Sequence, residues 1–154
     1  MATTSTLAVP TGFSYVVAAL VSTLPLLAGQ VLTVSRFRAR AGIKYPNLYA
    51  DKAEVAASPT AHRFNCMQRA HQNTIENIAM IYMTSTVLGL RHPMLAASAL
   101  GAWIIATTAY TVGYASGDPA RRDNIFTNIF YMPAIGTLFF GSIYSAYELV
   151  VAGI

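Results

Sequence analysis

Between Phe13 and Val34 the chain runs without a single charged residue. A stretch of that length and character suits a membrane helix, whose backbone amides bond to one another because hydrocarbon offers them no other partner. Pro25 lies inside it, and a membrane helix tolerates a proline. The rest of the chain leans the same way: 55% of it is hydrophobic and 10% charged, where a soluble domain carries about a quarter charged residues. The net charge of +4 therefore reports membrane topology rather than nucleic-acid binding. No basic residue precedes the first apolar stretch, which is also too long for the apolar core of a cleavable signal, so it reads as an uncleaved signal-anchor.

Three further helices follow. Ser58-Pro59 reads as an N-cap with proline at the first helical position, opening a helix that runs to about Leu90. That is longer than a bilayer needs, so its first turns should stand out of the membrane. Arg91-His92-Pro93 is a short turn, and a third span covers about Pro93 to Ala115. "SGDPARRDN" forms the next loop, with Asp123 as N-cap of a fourth span over about Asn124 to Val150. The expected fold is all-α, one polytopic four-transmembrane-helix bundle over residues 1–154. The first loop holds Arg36, Arg38, Arg40, Lys44, Lys52 and Arg63, the third holds Arg121 and Arg122, and the second only Arg91. By the positive-inside rule, the first and third loops face the cytoplasm.

The second span opens with "FNCMQRAHQNTIEN", Phe64 to Asn77. Arg69, Asn73 and Glu76 stand at i, i+4 and i+7, within roughly 60° of one another on a helix. Arginine and glutamate at membrane depth cost on the order of 2.5–3.5 kcal/mol each, so such a stripe needs partners. Those partners are one another, with Asn73 bridging, another helix, or a ligand. Tyr110 and Tyr114 share a face of the third span, at the same level as Arg121 and Arg122. The two tyrosines alone read as an interfacial belt, and the two arginines alone as a topology signal. Together these groups suit a small, multiply charged ligand, because arginine forks bind carboxylates and Glu76 can take an ammonium group.

Other chemistry fits poorly. Cys66 is the one cysteine, so there is no internal disulfide and no multi-cysteine metal site, and no metal is expected. His62, His71 and His92 form no facing pair for haem and read as surface or network histidines. No glycine-rich phosphate loop occurs, and Trp103 and the methionines read as packing residues.

The same residues carry a resemblance. "FNCMQRAHQNTIEN" resembles the signature of the MAPEG proteins, membrane-associated proteins in eicosanoid and glutathione metabolism, and within them the type-3 microsomal glutathione S-transferases. "TVSRFRARAGIKYPNLYAD" before it and "AYTVGYASGDPARR" after it extend the similarity from about Val31 to Arg122. The resemblance implies a homotrimer of four-helix subunits, with glutathione bound between subunits and open to the cytoplasm. It implies that Arg38, Arg69, Asn73, Glu76, Tyr110 and Tyr114 bind glutathione. Arg121 matches the arginine that stabilises the thiolate, with Arg122 as its rival; for Arg38 the rival is Arg36. Asn77, Thr107 and Ala39 depart from residues usual in the family. The implied activity is that of a glutathione transferase or peroxidase acting on a lipophilic electrophile or lipid hydroperoxide. The implied location is the endoplasmic reticulum, with the mitochondrial outer membrane as alternative. The family also includes a non-catalytic member that presents fatty acid to a lipoxygenase, so an accessory subunit is the other reading.

The chemistry asks little of the chain. A thiol of pKa about 8.5 is only a few per cent thiolate at neutral pH. Lowering that pKa by about 2 units takes roughly 2.7 kcal/mol. One arginine about 4 Å from the sulfur gives on the order of 4 kcal/mol at an effective dielectric near 20. A single well-placed arginine suffices, with no metal and no second base.

Overall fold

A computed structural model describes residues 9–153. Among these residues the regular structure is helical: α1 (Phe13–Val21), α2 (Thr23–Ala41), α3 (Lys52–Ala57), α4 (Pro59–Gly89), α5 (Pro93–Ala115) and α6 (Ile125–Val151), with a 3-10 turn over Pro119–Arg122.

The first rod is interrupted at Ser22, between α1 and α2, because Pro25 has no amide to offer the carbonyl one turn before it. Hydroxyls serve carbonyls there: Ser22 Oγ donates to Ala18 O at 2.8 Å, and Thr23 Oγ1 to Leu20 O at 2.7 Å. No breaker follows until Gly42, whose φ of 71° ends the helix in the left-handed region. Helix α2 therefore extends past Val34, and Arg36, Arg38 and Arg40 sit on its last turns rather than in a loop. Arg63 likewise belongs to α4, not to the loop before it.

Helix α4 starts where Ser58-Pro59 places it, with Ser58 Oγ accepting from the Ala61 amide at 3.4 Å. Helix α6 is capped one residue later than expected. Asn124 Oδ1 accepts from the Thr127 amide at 3.1 Å. Asp123 instead closes the 3-10 turn through its amide and pairs with Arg122 Nε at 3.6 Å.

Three rods are long and apolar enough to cross a membrane: Phe13–Ala41, Pro93–Ala115 and Ile125–Val151. Helix α4 has 31 residues and is about 46 Å long at 1.5 Å per residue. Its polar residues keep it out of that set by composition. It packs against α2, α5 and α6.

Among the described residues, the two larger of three apolar cores fill the ends of the bundle, and the third gathers Cys66, Ala70 and Tyr114. Val16, Ile81, Leu88, Leu100, Trp103 and Leu138 fill the end bearing the α4–α5 turn. Val34, Phe37, Ile43, Phe64 and Met67 fill the opposite, basic end. Between them Gln30, 1% exposed, donates through Nε2 to Thr74 Oγ1 and to Thr111 Oγ1, each at 2.8 Å. Each threonine spends its own hydroxyl proton on a carbonyl of its own helix. Both hydroxyls are therefore acceptors, and the carboxamide ties α2, α4 and α5 together. At the turn end His92 Nε2 meets Glu148 Oε2 at 2.8 Å, with Arg91 Nε at 3.7 Å, so this histidine is a network residue.

Candidate functional site

Helix periodicity puts the α4 stripe together as expected, but Asn73 is not its bridge. Arg69 Nη1 reaches Glu76 directly, at 3.2 Å from Oε1 and 3.4 Å from Oε2, and both side chains are about half exposed. Asn73, between them on the helix, lies beside the Tyr131 hydroxyl of α6. Its carbonyl accepts from Asn77 Nδ2 at 2.7 Å. Several other residues of the segment hold the fold. Phe64 and Met67 are core, Asn65 grips Ala50, and Thr74 holds Gln30.

Helix α5 supplies the tyrosine pair. The rings of Tyr110 and Tyr114 meet edge to face with centroids 5.0 Å apart. Tyr114 is buried, and its hydroxyl accepts from Arg122 Nη1 at 2.9 Å. Arg121 turns away, exposed, toward Asp118 Oδ2 at 3.7 Å. The loop carrying both arginines lies directly on α5. A Cβ added to Gly113 would stand 2.2 Å from Arg121 O, so only glycine admits this approach. Arg63 Nε seals the same corner by donating to Ala115 O at 2.6 Å.

Arg38 is not brought to this stripe. It is buried at the end of α2, donating from Nη1 to Asn47 O at 2.6 Å and from Nη2 to Leu48 O at 3.4 Å. Its guanidinium lies between the rings of Tyr45 and Phe64, at 4.4 and 4.7 Å from their centroids. Arg36, its rival, is exposed.

Two residues that the sequence does not mark join the stripe. Tyr49, in the loop after α2, donates its hydroxyl to Gln72 Oε1 and stands beside the Arg69 guanidinium. Burial pushes its phenol up while Arg69 pulls the other way, and it stays protonated at neutral pH. Gln72 could have been found by spacing, since it follows Arg69 by three positions. Nothing local to Tyr49 announces it.

A cleft of about 460 Å³ opens between α2 and α5, walled by Leu26, Gly29, Ile104 and Val112 with Gln30 at its floor. A second, of about 880 Å³, runs beside Arg121, Asn124 and Phe126. Arg69, Asn73 and Glu76 line neither and stand on an open flank of α4. Among the described residues no group of three or more histidine, cysteine, aspartate or glutamate side chains is placed to hold a metal.

The arrangement is thus a cation–carboxylate pair, two tyrosines and a second arginine gathered at the basic end of an apolar helical bundle. A sequence model of the MAPEG family matches residues 14–144, nearly the whole of the described helices. The chain belongs to the MAPEG family.

Proposed function

We propose that this protein binds glutathione at the Arg69–Asn73–Glu76 stripe, stabilises its thiolate, and delivers it to a lipophilic electrophile or lipid hydroperoxide from the bilayer. The observation that carries the reading is the Arg69–Glu76 pair, half exposed on an apolar bundle at 3.2 Å. It offers a fixed cation and a fixed anion side by side. Glutathione presents the complement, carboxylates and an ammonium group on one short peptide. Arginine is suited to the carboxylates because its fork binds them with two parallel bonds. Family membership supports the same chemistry.

In this reading Arg69, Asn73, Glu76, Tyr110 and Tyr114 contact the tripeptide, and Arg38 holds the loop that walls it. Arg121 and Arg122 are the candidates for the thiolate partner, and one arginine at about 4 Å is sufficient. Helix α4 crosses the membrane as the fourth span, its first turns projecting on the cytoplasmic side. The open flank bearing Arg69 is covered by a second copy in a homotrimer. In this reading the Phe64–Asn77 segment, which resembles that of the type-3 microsomal glutathione S-transferases, assigns the chain to that subgroup, and the endoplasmic reticulum is the expected membrane. Basic loops at the Arg121 end support a cytoplasmic site.

The test is glutathione-dependent consumption of a lipid hydroperoxide and of an aryl halide by the protein in lipid nanodiscs. Arg69→Gln should raise the KM for glutathione about 10- to 100-fold, the range for losing one charged hydrogen-bonding partner. Wild-type protein that consumes neither substrate ends the enzyme reading. A second reading, a non-catalytic lipid-binding or accessory subunit, is favoured by one observation: Arg69 and Glu76 already satisfy each other.

A further inference from the structure

Helix α5 carries its tyrosine pair on one side only. Val112 stands two positions from Tyr110 and two from Tyr114, so it lies roughly 160–200° around the helix from them at about 100° per residue. On that opposite side α5 is the ridge between two clefts. The cleft of about 460 Å³ lies between α2 and α5, with Leu26 and Gly29 on its α2 wall. Across the ridge, Ile105, Ala109 and Phe126 line a cleft of about 310 Å³ against the start of α6. Both take in Ile104 and Thr108. The cleft of about 880 Å³ beside the arginine loop meets the first at Val112 and the second at Ala109 and Phe126. The three make one fork, with a wide mouth at the loop and two apolar arms straddling α5.

The arms suit hydrocarbon. From Ser116 at the mouth to Ile104 the ridge is about 18 Å long at 1.5 Å per residue. One leaflet of a bilayer's hydrocarbon core is about 15 Å deep. Ile105, Val112, Ile125 and Phe126 are exposed along the fork, and the residues lining the two arms carry no charge. The mouth is different, because Arg121 and Asp123 both line it. Asp118 Oδ2 comes only to Arg121 Nε, at 3.7 Å, so the two terminal nitrogens keep their donors. The Asp123 carboxylate meets Arg122 Nε through one oxygen, at 3.6 Å. The mouth thus offers a cation and an anion just before α6 turns apolar at Ile125, the level of lipid headgroups.

We propose that this fork holds one two-chain zwitterionic phospholipid, its phosphate on Arg121, its ammonium on Asp123 and one acyl chain in each arm. A one-chain lipid would leave an arm open, and a purely anionic head would leave the carboxylates beside Arg121 unanswered. The ammonium is a primary one, because it must donate to a carboxylate already shared with Arg122. The site lies on the far side of α5 from the tyrosine pair and stands independently of the glutathione reading.

The experiment takes the full chain from nanodiscs into mild detergent and follows bound lipid by native mass spectrometry. The probes are palmitoyl-oleoyl phosphatidylethanolamine, the matching phosphatidylcholine and phosphatidylglycerol, and the one-chain lysophosphatidylethanolamine. Phosphatidylethanolamine should be retained in preference to the other three. Arg121→Gln should weaken its retention about tenfold or more, the scale of one charge-assisted hydrogen bond. Gly29→Leu is the second variant. A Cβ at Gly29 meets nothing within 4 Å, so the new side chain enters the α2 arm without straining the helix. It should erase the preference for two chains over one. A diazirine at the acyl-chain end of the same lipid should label α5 together with α2 or α6. Equal retention of all four lipids, or unchanged retention in both variants, overturns the proposal. Label spread evenly over every apolar helix marks ordinary surrounding lipid and overturns it as well, and so do cross-links from the fork to a second copy of the chain in place of lipid.

Discussion

Arg122 donates from Nη1 to the buried hydroxyl of Tyr114 at 2.9 Å. Arg121, its neighbour and the better match by resemblance, is turned toward Asp118. Only Arg122 is tied to the tyrosine pair. Arg122→Gln should therefore lower kcat/KM for glutathione-dependent turnover about 10- to 100-fold, corresponding to roughly 1.4–2.7 kcal/mol. Arg121→Gln should stay within about threefold. Steady-state kinetics on the two variants side by side checks the ranking, and the reverse order would return the thiolate role to Arg121.

Gly113 lets the arginine loop lie on α5. In Gly113→Ala the new methyl meets the backbone of Arg121, and no side-chain rotation relieves a 2.2 Å approach to a carbonyl oxygen. The loop must shift, at a cost of about 1–3 kcal/mol typical of overpacking. Turnover should fall further than thermal stability does, because the shift displaces Arg122 from Tyr114. Circular dichroism melting beside an activity assay separates the two effects.

The Gln30 node holds three helices at mid-bundle. Interhelical hydrogen bonds in membrane proteins contribute about 0.6 kcal/mol each on average, so Gln30→Leu, which removes two, should cost about 1 kcal/mol. Thr74 and Thr111 remain satisfied by their own helices, which limits the loss. Unfolding in mixed detergent reads the difference. The KM for glutathione should not move.

Glu148 serves as a remote control. Its contact with His92 closes the turn end of the bundle, far along α4 from Arg69. The pair is partly exposed, so Glu148→Gln should cost only about 0.5–1 kcal/mol. Activity per folded molecule should be unchanged. A large loss of activity would mean that the two ends of the bundle are coupled.

Much of this architecture was legible because its signals are local. Ser58-Pro59 marks the start of α4, Pro93 opens α5, and the 3.6-residue period alone puts Arg69 and Glu76 on one face. The errors have local causes too. Val34 looked like a helix end because cations follow it, yet arginine is a good helix former and only Gly42 stops the chain. Asp123 and Asn124 are both acceptable caps, and the choice fell to Asn124 because Asp123 is engaged by Arg122 and the 3-10 turn. Asn73 sits between two charges and so reads as a possible bridge, but the Arg69 side chain is long enough to reach Glu76 unaided. Tyr49 was out of reach for a different reason. Its position depends on contacts from Arg38 and Asn65, well separated from it or from each other in sequence, and no spacing rule encodes them.

The basic end of this bundle is proposed to bind glutathione and hold it as a thiolate. The most direct test is an ultraviolet thiolate difference spectrum, titrating glutathione into the purified protein in mild detergent at neutral pH. A saturable thiolate signal is expected, one that disappears in Arg122→Gln and needs far more glutathione in Arg69→Gln. No signal from intact, folded wild-type assemblies would contradict it, and the polar stripe would then be a structural feature or the site of a different ligand.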